Sequence, residues 1–462
     1  MPYLLNLVYI GLIAALSPWL VFQAFRKGKY RQGYAQKFLG LVPRRISDAK
    51  CIWLHAVSVG EVNLLDSLIK RIAQTRPDWQ CVVSTTTMTG MALAKKKYPQ
   101  LNVFYCPLDF TWAVKTAVRR VRPHVLVLAE LELWPNLIGF ARRSGARVAV
   151  VNGRLSQRSA RGYGRIRPLV SRLLERIDLL AVQNETYAER FLALGAPRRT
   201  VFVTGSMKYD GAQTDRDNRA TQTLRQLAGF ADDEIVFLAG STQEPEESLA
   251  LDAYRRLQEK WPRLRLVLVP RHPDRFDAVA KMLDSSGVPW QRRTDLQHQE
   301  EAPAVTGATA GLSSSASAEP TEKALLDKPA VAPGPQPPAR VLLVDVVGEL
   351  GAWWGTSQIA FVGGSMGSRG GQNMIEPAAY GAAVCFGPNT RNFRDVVTAM
   401  LERRAAVVVE NGDELTGFVR RCLEDTPYRD ALGNRATQFV SQQLGATDRT
   451  LELLVNLDAS YH

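Results

Sequence analysis

Residues 51–74, "CIWLHAVSVGEVNLLDSLIKRIAQ", join a strand-like apolar run to a helical pattern. We expect Gly60 to let the chain turn sharply from strand to helix, and Glu61 follows it at once. In an open parallel sheet, ligands bind beyond the carboxyl ends of the strands, which makes Glu61 a candidate functional residue. Taken alone, a carboxylate at a helix start needs no function, because it also complements the helix dipole.

The same alternation of strand-like run and helical pattern recurs along both halves of the chain. Apolar runs separated by amphipathic helices are typical of parallel sheets covered on both faces. Two successive sets indicate an α/β protein with two doubly wound, Rossmann-like domains facing a cleft. The runs are "CIWLHAVS", "QCVVSTT", "NVFYC", "HVLVLAE", "RVAVVN", "DLLAVQ" and "TVFVTG", then "EIVFLAG", "LRLVLVP", "RVLLVDV", "IAFVGG", "AAVCFG" and "AAVVV".

Composition indicates the domain boundaries. The polar stretch "DGAQTDRDNRATQ" lacks apolar periodicity, and it divides a domain over residues 31–215 from one over residues 216–445. Residues 294–339 are rich in Ala, Ser, Pro and Gly, which predicts a disordered insertion in the second domain. Residues 446–462 have a helical pattern and are expected to pack back on the first domain.

Residues 1–30 predict a membrane-associated helix. Residues 2–25 carry no charged side chain, and basic residues follow directly. A helix of this length could cross the bilayer, and the alternatives are a helix at the membrane surface or one buried in the protein. Basic residues after the apolar run predict that the remaining chain lies in the cytoplasm.

The net charge of +13 favours an anionic partner. The stretch "GRLSQRSARGYGRIR" at residues 153–167 is basic with one aromatic residue, a composition that also suits nucleic acid. Beside a membrane helix, an anionic lipid headgroup is the better partner. We therefore expect an anionic membrane surface as partner, and no nucleic acid.

Charged and amide side chains follow several strands of the first domain. Glu130 and Glu132 follow "HVLVLA", Asn152 and Arg154 follow "RVAVV", and Lys208 follows "TVFVTGSM". The carboxyl ends of parallel strands form one edge of a sheet, so these side chains are expected to converge with the acid of the first strand end. Convergence favours a functional interpretation of that acid.

The second domain carries a glycine-rich loop in "FVGGSMGSRGGQNMIEPAA", between a strand and a helix that begins near Asn373. Free backbone N–H groups at a helix start suit a phosphate, and Glu376 is placed to accept hydrogen bonds from ribose hydroxyls. Arg271 follows another strand, "LRLVLVP". A P-loop lysine is absent, and G-x-G-x-x-G follows the first strand of neither domain, which argues against a P-loop nucleotidase and a nicotinamide enzyme.

These motifs together resemble the 3-deoxy-D-manno-octulosonic acid (Kdo) transferases of lipid A biosynthesis, glycosyltransferases with the GT-B fold. The resemblance covers nearly the whole chain apart from residues 294–339. The matching pieces, in the family's order, are "HAVSVGEV", "AELELWPNL", "NGRLSQRS", "VTGSMKYD", "GSTQEPEE", "VPRHPDRF", "GGQNMIEPAA" and "GPNTRNF".

The resemblance implies an inverting transfer of Kdo from CMP-Kdo to a tetraacylated lipid A precursor, without a metal or other cofactor. Glu61 is implied as the general base that takes the proton of the acceptor hydroxyl. Glu130 and Lys208 are implied to support the transition state. The implied contacts of the donor nucleotide are Pro270, Arg271, Val347, Gly348, Glu349, Asn373, Met374, Ile375 and Glu376.

The pKa of the implied base presents a conflict. A carboxylate at a helix N-terminus should have a lowered pKa, which weakens it as a base. Desolvation of Glu61 on closure of the two domains would act in the opposite direction.

Several positions depart from the family pattern, all on the nucleotide side. Gln243 and Gln372 stand where the family has histidines, and Val346 and Val347 stand within "VDVVGEL", where the family has "GDTMGEL". These departures keep two alternatives open. One is a GT-B transferase that uses a different nucleotide-activated sugar on a membrane lipid acceptor. The other is a catalytically weak, membrane-bound protein that binds a nucleotide sugar.

Overall fold

The computed structural model describes residues 2–27, 32–300 and 339–459. The chain forms two compact units. The first unit comprises Met1–Gly211 and Gln443–His462, and the second comprises Ala212–Gln442.

Seven strands form the sheet of the first unit: β1 (Lys50–His55), β2 (Trp79–Thr85), β3 (Asn102–Tyr105), β4 (Val125–Ala129), β5 (Arg147–Gly153), β6 (Leu179–Val182) and β7 (Val201–Val203). They are parallel, in the order β3-β2-β1-β4-β5-β6-β7. The chain order reverses between β1 and β4, which is therefore the topological switch point. Each apolar run predicted in this half is a strand, and the doubly wound arrangement is confirmed.

The helices of the first unit cover both faces of this sheet. They are α1 (Pro2–Lys27), α2 (Tyr34–Leu39), α3 (Val59–Thr75), α4 (Met88–Lys97), α5 (Thr111–Val121), α6 (Pro135–Arg143), α7 (Gln157–Gly164), α8 (Arg167–Leu174), α9 (Glu185–Ala193) and, at the end of the chain, α19 (Ala446–Ala459).

Strand β1 shows why both faces are covered. Cys51 and Trp53 belong to the apolar cluster on one face, while Ile52 and Leu54 belong to the cluster on the other. Successive side chains of a strand point to opposite faces, so a run without polar residues must be buried on both. Helix α19 supplies apolar side chains to the second of these clusters and packs against α3.

Helix α1 is attached to the first unit by polar contacts. The Asn6 amide donates to Thr111 Oγ1 at 2.8 Å and accepts from the Thr111 N–H at 3.1 Å. The Tyr9 hydroxyl donates to Asp109 at 3.1 Å. Across residues 2–27, 32–300 and 339–459, we find no helix with both the length and the apolar character that crossing a bilayer requires.

A second parallel sheet forms the second unit: β8 (Ile235–Thr242), β9 (Leu264–Pro270), β10 (Trp290–Arg292), β11 (Val341–Leu343), β12 (Ile359–Val362), β13 (Ala383–Phe386) and β14 (Val407–Val408). The order is β10-β11-β9-β8-β12-β13-β14, with the switch point between β8 and β12. Every predicted run is again a strand, and the short edge strand β10 is an addition to the prediction.

Nine helices of the second unit lie in the described part of the chain. They are α10 (Arg219–Leu227), α11 (Glu246–Leu257), α12 (Phe276–Ser286), α13 (Arg293–Glu300), α14 (Leu350–Thr356), α15 (Ile375–Ala379), α16 (Arg394–Glu402), α17 (Gly412–Glu424) and α18 (Thr426–Ser441).

The predicted insertion is only partly within the described residues. Residues 294–300 belong to helix α13, so the prediction of disorder is wrong for them. The physical reason is that this segment has polar partners, since Thr294 donates both its N–H and its hydroxyl to Asp345. Residues 301–338 of the predicted insertion lie outside the described residues.

Candidate active site

Carboxylates meet at the switch point of the first sheet. Glu61 lies in the first turn of α3, which follows β1, and Glu130 comes directly after the neighbouring strand β4. Glu130 has a φ of 56°, and Asn152, at the end of β5, has a φ of 52°. Left-handed backbone is costly for residues other than glycine, and such strain clusters at functional sites.

Two hydrogen bonds hold the Glu61 carboxylate in place. One oxygen accepts from the Val57 N–H at 2.8 Å, and the other accepts from the Ser58 hydroxyl at 2.9 Å. Ser58 also caps α3, because its Oγ accepts from the Glu61 N–H at 3.4 Å. The carboxylate is partly exposed, so it is oriented without being closed off from solvent.

The structure corrects the role expected for Gly60. Helix α3 begins at Val59, so Gly60 lies inside the first turn instead of at the turn between strand and helix. It is not among the glycines with a positive φ, and a Cβ built there would approach only Ser58 Oγ, at 3.8 Å. The extended Ser58, with a φ of −115°, makes the turn.

The pKa of Glu61 is raised above its ordinary value. Burial is the largest cause, and the charge of Glu130 adds to it, whereas the hydrogen bonds from Val57 and Ser58 act in the opposite direction. A raised pKa makes a carboxylate a stronger base. Burial of Glu61 therefore outweighs the hydrogen bonds that it accepts at the helix N-terminus.

Glu130 lies between two cations. Its carboxylate is 3.2 Å from Arg154 Nε and 3.5 Å from Lys208 Nζ. Asn152 fixes the neighbouring backbone, because its Oδ1 accepts from the Met207 N–H at 3.0 Å. The predicted convergence of Glu130 and Lys208 is thus present, and Arg154 joins them.

Glu132 is a further titratable group at this site. Its Oε2 accepts from Trp134 Nε1 at 2.9 Å. Burial, followed by the charge of Glu61, raises the pKa of Glu132 to about 7, with Glu130 adding to the shift. The strand-end position in "ELEL" marks Glu132, but sequence alone does not distinguish it from Glu130.

In the second unit, a buried carboxylate accepts hydrogen bonds from the first part of the glycine-rich loop. Glu246, the first residue of α11, is 1% exposed. Its two oxygens accept from four backbone N–H groups, those of Gln243, Gly364, Ser365 and Met366, at 2.7–2.9 Å. The first part of the loop therefore already holds an anion, and a substrate phosphate needs other donors.

The loop ends at α15, which begins at Ile375 and has five residues. Asn373 stabilises this turn by two hydrogen bonds. Its Oδ1 accepts from the Ile375 N–H at 3.1 Å, and its Nδ2 donates to Glu376 at 2.9 Å. Met374 and Ile375 are buried, so their side chains are closed to a ligand. Burial raises the pKa of Glu376, while the hydrogen bond from Asn373 and the positive charge of Arg271 act in the opposite direction.

Arg271 and Pro270 lie where β9 ends. Pro270 is the buried last residue of the strand, and the exposed Arg271 is fixed by its N–H, which donates to the Thr242 carbonyl at 3.0 Å. Arg271 and Glu376 thus bring opposite charges together at the carboxyl edge of the second sheet.

The loop at Val347, Gly348 and Glu349 has an exposed part and a part that is held by hydrogen bonds. Val347 is 71% exposed, and Gly348 has a φ of 103° with open space beside it. Both Glu349 oxygens accept from the Arg293 guanidinium, at 2.9 and 3.0 Å, and one also accepts from Trp353 Nε1. The Glu349 carboxylate therefore holds the loop to α13, leaving the backbone and Val347 to face a ligand.

The two glutamines that depart from the family pattern lie side by side. A Cβ built on Gly364 would be 3.0 Å from Gln372 Nε2 and 3.6 Å from Gln243 Nε2. Two departures from the family pattern, more than a hundred positions apart in sequence, thus lie together beside Gly364.

Comparisons with known proteins agree with this geometry. A family model described as 3-deoxy-D-manno-octulosonic-acid transferase (kdotransferase) matches residues 30–211. The chain is 31% identical to the 3-deoxy-D-manno-octulosonic acid transferase of Haemophilus influenzae, over 97% of this chain and 95% of that protein. It is 29% identical to the enzyme of the same name from Bordetella pertussis, over 97% of this chain and 98% of that protein.

Solved structures show the fold. The UDP-GlcNAc 2-epimerase from Neisseria meningitidis has a TM-score of 0.55 and 12% identity, over 88% of this chain and 100% of that one. A glycosyltransferase from Rickettsia africae has a TM-score of 0.51 and 10% identity, over 89% and 99% of the two chains. At such identities the likeness concerns the fold alone, and it confirms the predicted GT-B class.

Proposed function

Since the chain belongs to the 3-deoxy-D-manno-octulosonic acid transferase family, we propose that it transfers Kdo from CMP-Kdo to the tetraacylated disaccharide precursor of lipid A. It is a glycosyltransferase, and the transfer of Kdo follows from the family. The donor nucleotide, the lipid acceptor and the residue roles are the proposal. The observation that supports the proposal most is the state of Glu61, whose partly exposed carboxylate is fixed by two hydrogen bonds and has a raised pKa.

In the proposed reaction, Glu61 takes the proton of the acceptor hydroxyl as its oxygen attacks the anomeric carbon of Kdo. The bond from that carbon to the phosphate oxygen breaks, and CMP leaves with the bonding electrons. Attack opposite to the leaving group inverts the configuration at that carbon. A positioned general base contributes about 10²–10⁴-fold to such a step.

Lys208 and Arg154 supply positive charge beside Glu130, whose own charge acts on Glu61. Glu130 holds both cations within 3.5 Å, so their position is set before a substrate arrives. Preorganised charge stabilises a transition state without reorganisation at the moment of reaction. We assign Glu130 and Lys208 to the support of the transition state, and we add Arg154 to that group.

The donor nucleotide is assigned to the carboxyl edge of the second sheet. Arg271 would neutralise the phosphate, and Glu376, held by Asn373, would accept hydrogen bonds from ribose hydroxyls. Pro270, Met374 and Ile375 contribute backbone only. The loop of Val347, Gly348 and Glu349 adds one exposed apolar side chain and its peptide groups.

A membrane location of the enzyme is part of the proposal. Helix α1 exposes apolar side chains, among them Tyr3, Leu7 and Leu12, at 53–78%. Exposed arginines on α7 and α8 stand beside exposed Ile166 and Leu169. An apolar helix face and basic residues are the features with which proteins bind anionic bilayers. We place the enzyme on the cytoplasmic face of the inner membrane.

One observation favours a different activated sugar as the second candidate. Gln243 and Gln372 converge on Gly364, where the family resemblance expects histidines. A glutamine amide donates a hydrogen bond but takes up no proton. A nucleotide sugar that carries a different charge where it contacts Gln243 and Gln372 would suit glutamines in place of histidines.

A donor panel tests the proposal directly. The purified full-length chain is incubated with lipid A precursor in mixed micelles and with CMP-Kdo or another nucleotide sugar, and product is followed by mass spectrometry. We expect transfer from CMP-Kdo and a loss of at least about a hundredfold in Glu61→Gln.

The matched control is Glu185→Gln, an exposed acid in the first turn of α9, which should retain full activity. Transfer from another nucleotide sugar but not from CMP-Kdo would contradict CMP-Kdo as the donor. Tight binding of CMP-Kdo without turnover would contradict the proposed transfer and would indicate a binding protein.

A further inference from the structure

Lys208 lies in a loop of the first unit, residues 204–210, which follows β7 and is called the lysine loop below. Two contacts join this loop to the candidate active site. The Met207 N–H donates to Asn152 Oδ1 at 3.0 Å, and Lys208 Nζ lies 3.5 Å from Glu130 Oε1. They fix the backbone before Lys208 and the end of its side chain, whereas the backbone after Lys208 is fixed from another part of the chain.

Asp210 fixes the end of the lysine loop. Its two carboxylate oxygens accept from the N–H groups of Gly445, at 2.7 Å, and of Thr447. Helix α19 begins at Ala446, so these N–H groups lie at a helix start, where the helix itself offers them no carbonyl. Asp210 therefore caps α19 from a position 235 residues before Gly445.

The same segment also holds the beginning of the lysine loop. Arg449, in the first turn of α19, donates from Nε to the Thr204 carbonyl at 2.8 Å. Gly205 has a φ of 92°, and a Cβ built there would be 3.0 Å from Arg449 Nη2 and 3.3 Å from Ala446 Cβ. Met207 is 2% exposed and belongs to the same apolar cluster as Ala446. The start of α19 thus holds the lysine loop at both ends and packs against its middle.

The start of α19 also contacts α3, the helix that carries Glu61. Thr447 Oγ1 donates to Ser67 Oγ at 3.4 Å, and Arg71 Nε donates to the Asp448 carboxylate. Each contact is weak by itself, because the first is long and the second is an exposed ion pair that solvent screens. Together they show that one segment touches both the helix of the proposed base and the loop of the proposed cation.

We propose that Asp210 is a positioning residue for Lys208. By holding the start of α19, its carboxylate sets the path of the backbone two residues after Lys208, and with it the place of the ammonium group beside Glu130. Preorganised charge stabilises a transition state because it does not have to move into place during the reaction. The inference rests on the proposed function, in which Lys208 supports the transition state. Loss of the Asp210 carboxylate should therefore lower kcat and leave the KM for the donor nearly unchanged.

A cap that only stabilises the fold is the alternative role of Asp210. Such a cap lowers stability equally with and without Lys208, and it leaves the kcat of the folded enzyme unchanged. A positioning residue acts through Lys208, so its removal changes kcat only while Lys208 is present. Non-additive changes in a double-mutant cycle measure this kind of dependence.

The test is a double-mutant cycle in the full-length chain, with Asp210→Ala, Lys208→Ala and the double variant. We measure kcat and the KM for CMP-Kdo at a saturating concentration of lipid A precursor, and we follow folding by circular dichroism. We expect kcat to fall by about tenfold in Asp210→Ala, with KM within twofold of wild type, because a misplaced catalytic group loses rate. In Lys208→Ala we expect a fall of about a hundredfold. The double variant should match Lys208→Ala within twofold.

A milder variant and a matched control accompany the cycle. Asp210→Asn keeps one oxygen for one of the two N–H groups, so its kcat should lie between those of Asp210→Ala and wild type. It replaces alanine in the cycle if Asp210→Ala does not fold. Asn411→Ala removes the cap of α17, where Asn411 accepts from the Glu414 N–H at 3.0 Å, and it should lower stability without changing kcat.

Wild-type kcat in the folded Asp210 variant would overturn the inference while leaving the proposed function intact. A double variant whose loss is the product of the two single losses would also overturn it, because Asp210 would then act independently of Lys208. Wild-type kcat in Lys208→Ala would instead contradict the proposed role of Lys208, and this inference with it. Absence of Kdo transfer by the wild-type enzyme would contradict the proposed function and everything that rests on it, so the failures are distinguishable.

Discussion

Two acids of this chain occupy equivalent positions in the two sheets but differ in their chemical character. Glu61 and Glu246 each lie in the first turn of a helix that follows a strand at a switch point. Glu61 has one backbone N–H and one hydroxyl as partners, and it is partly exposed. Glu246 accepts from four backbone N–H groups and is 1% exposed.

The difference separates a reactive carboxylate from a structural one. A carboxylate oxygen that already accepts two short hydrogen bonds, and that no solvent reaches, is poorly placed to take a proton from a substrate. An oxygen that accepts one bond, on a partly exposed group, retains a lone pair for that purpose. Hydrogen-bond saturation, more than position in the fold, therefore distinguishes the two acids.

The largest effect expected from this comparison is on stability. In Glu246→Gln, the amide can accept from only some of the four N–H groups, and its own NH₂ faces the others. Two buried donors lose their partners, which should lower the free energy of unfolding by about 3 kcal/mol. The change is measured as a shift in the denaturation midpoint of the full-length chain.

The same substitution at the other acid is the control. In Glu61→Gln, the amide oxygen can accept from the Val57 N–H while the NH₂ donates to Ser58 Oγ, and the partly exposed Ser58 hydroxyl can turn its hydrogen to solvent. We expect a loss below about 0.5 kcal/mol, with activity lost instead. Similar destabilisation in both variants would contradict the distinction.

The next effect concerns Ser58, which orients Glu61. In Ser58→Ala the helix cap disappears, which costs about 1 kcal/mol, and one Glu61 oxygen loses its donor. We expect kcat to fall by roughly tenfold, since an unoriented base is less effective. Steady-state kinetics with a saturating acceptor measure this change.

Two variants separate capping from orientation. Asn184→Ala removes the cap of α9, where Asn184 accepts from the Tyr187 N–H, and it should lower stability equally without changing kcat. Ser58→Thr keeps the hydroxyl and should restore most activity. Equal kcat values for the two alanine variants would argue against an orienting role.

Glu132 should give the first unit a pH dependence of stability. The pKa of Glu132 is about 7 in the folded chain, above the ordinary value of 4.5. Between pH 4.5 and 7 the folded chain therefore holds a proton that the unfolded chain has released. The contribution of Glu132 to the free energy of unfolding falls as the pH rises through this range, and Glu132→Gln removes that slope.

The charge of Glu61 should in turn be visible in the titration of Glu132. The charges that raise the pKa of Glu132 are those of Glu61 and Glu130. In Glu61→Gln the negative charge of Glu61 is absent, so the pKa of Glu132 should fall and the pH-dependent slope of stability should move to lower pH. Glu189→Gln, on the exposed face of α9, should leave the slope in place, and an unmoved slope in Glu61→Gln would show that the two acids are uncoupled.

The sequence predicts what local pattern determines. Each apolar run named from the sequence is a strand, and the strand-end rule brings Glu61, Glu130 and Lys208 to one edge of the first sheet. Such predictions succeed because burial on both faces demands a continuous apolar run, and because parallel strands end at a common edge.

The sequence does not predict which polar group meets which. Glu246 is buried because Gly364, Ser365 and Met366 offer their N–H groups, and these lie more than a hundred positions away. Helix α13 is missed for the same reason, since the partner of Arg293 is Glu349, beyond the predicted insertion. Distant pairing leaves no periodic signal in either segment.

The smallest expected effect decides between the sequence-based role of Gly60 and the structural one. A turn that requires glycine would be strained by a side chain, and Gly60→Ala would then cost well above 1 kcal/mol. In the structure, Gly60 is helical and its Cβ position is open. Alanine is a better helix former, so the free energy of unfolding should rise by about 0.5 kcal/mol, and Kdo transfer should stay within twofold of wild type. A stable variant with a large loss of activity would instead show that a substrate passes within contact distance of residue 60, which would place the acceptor against the first turn of α3.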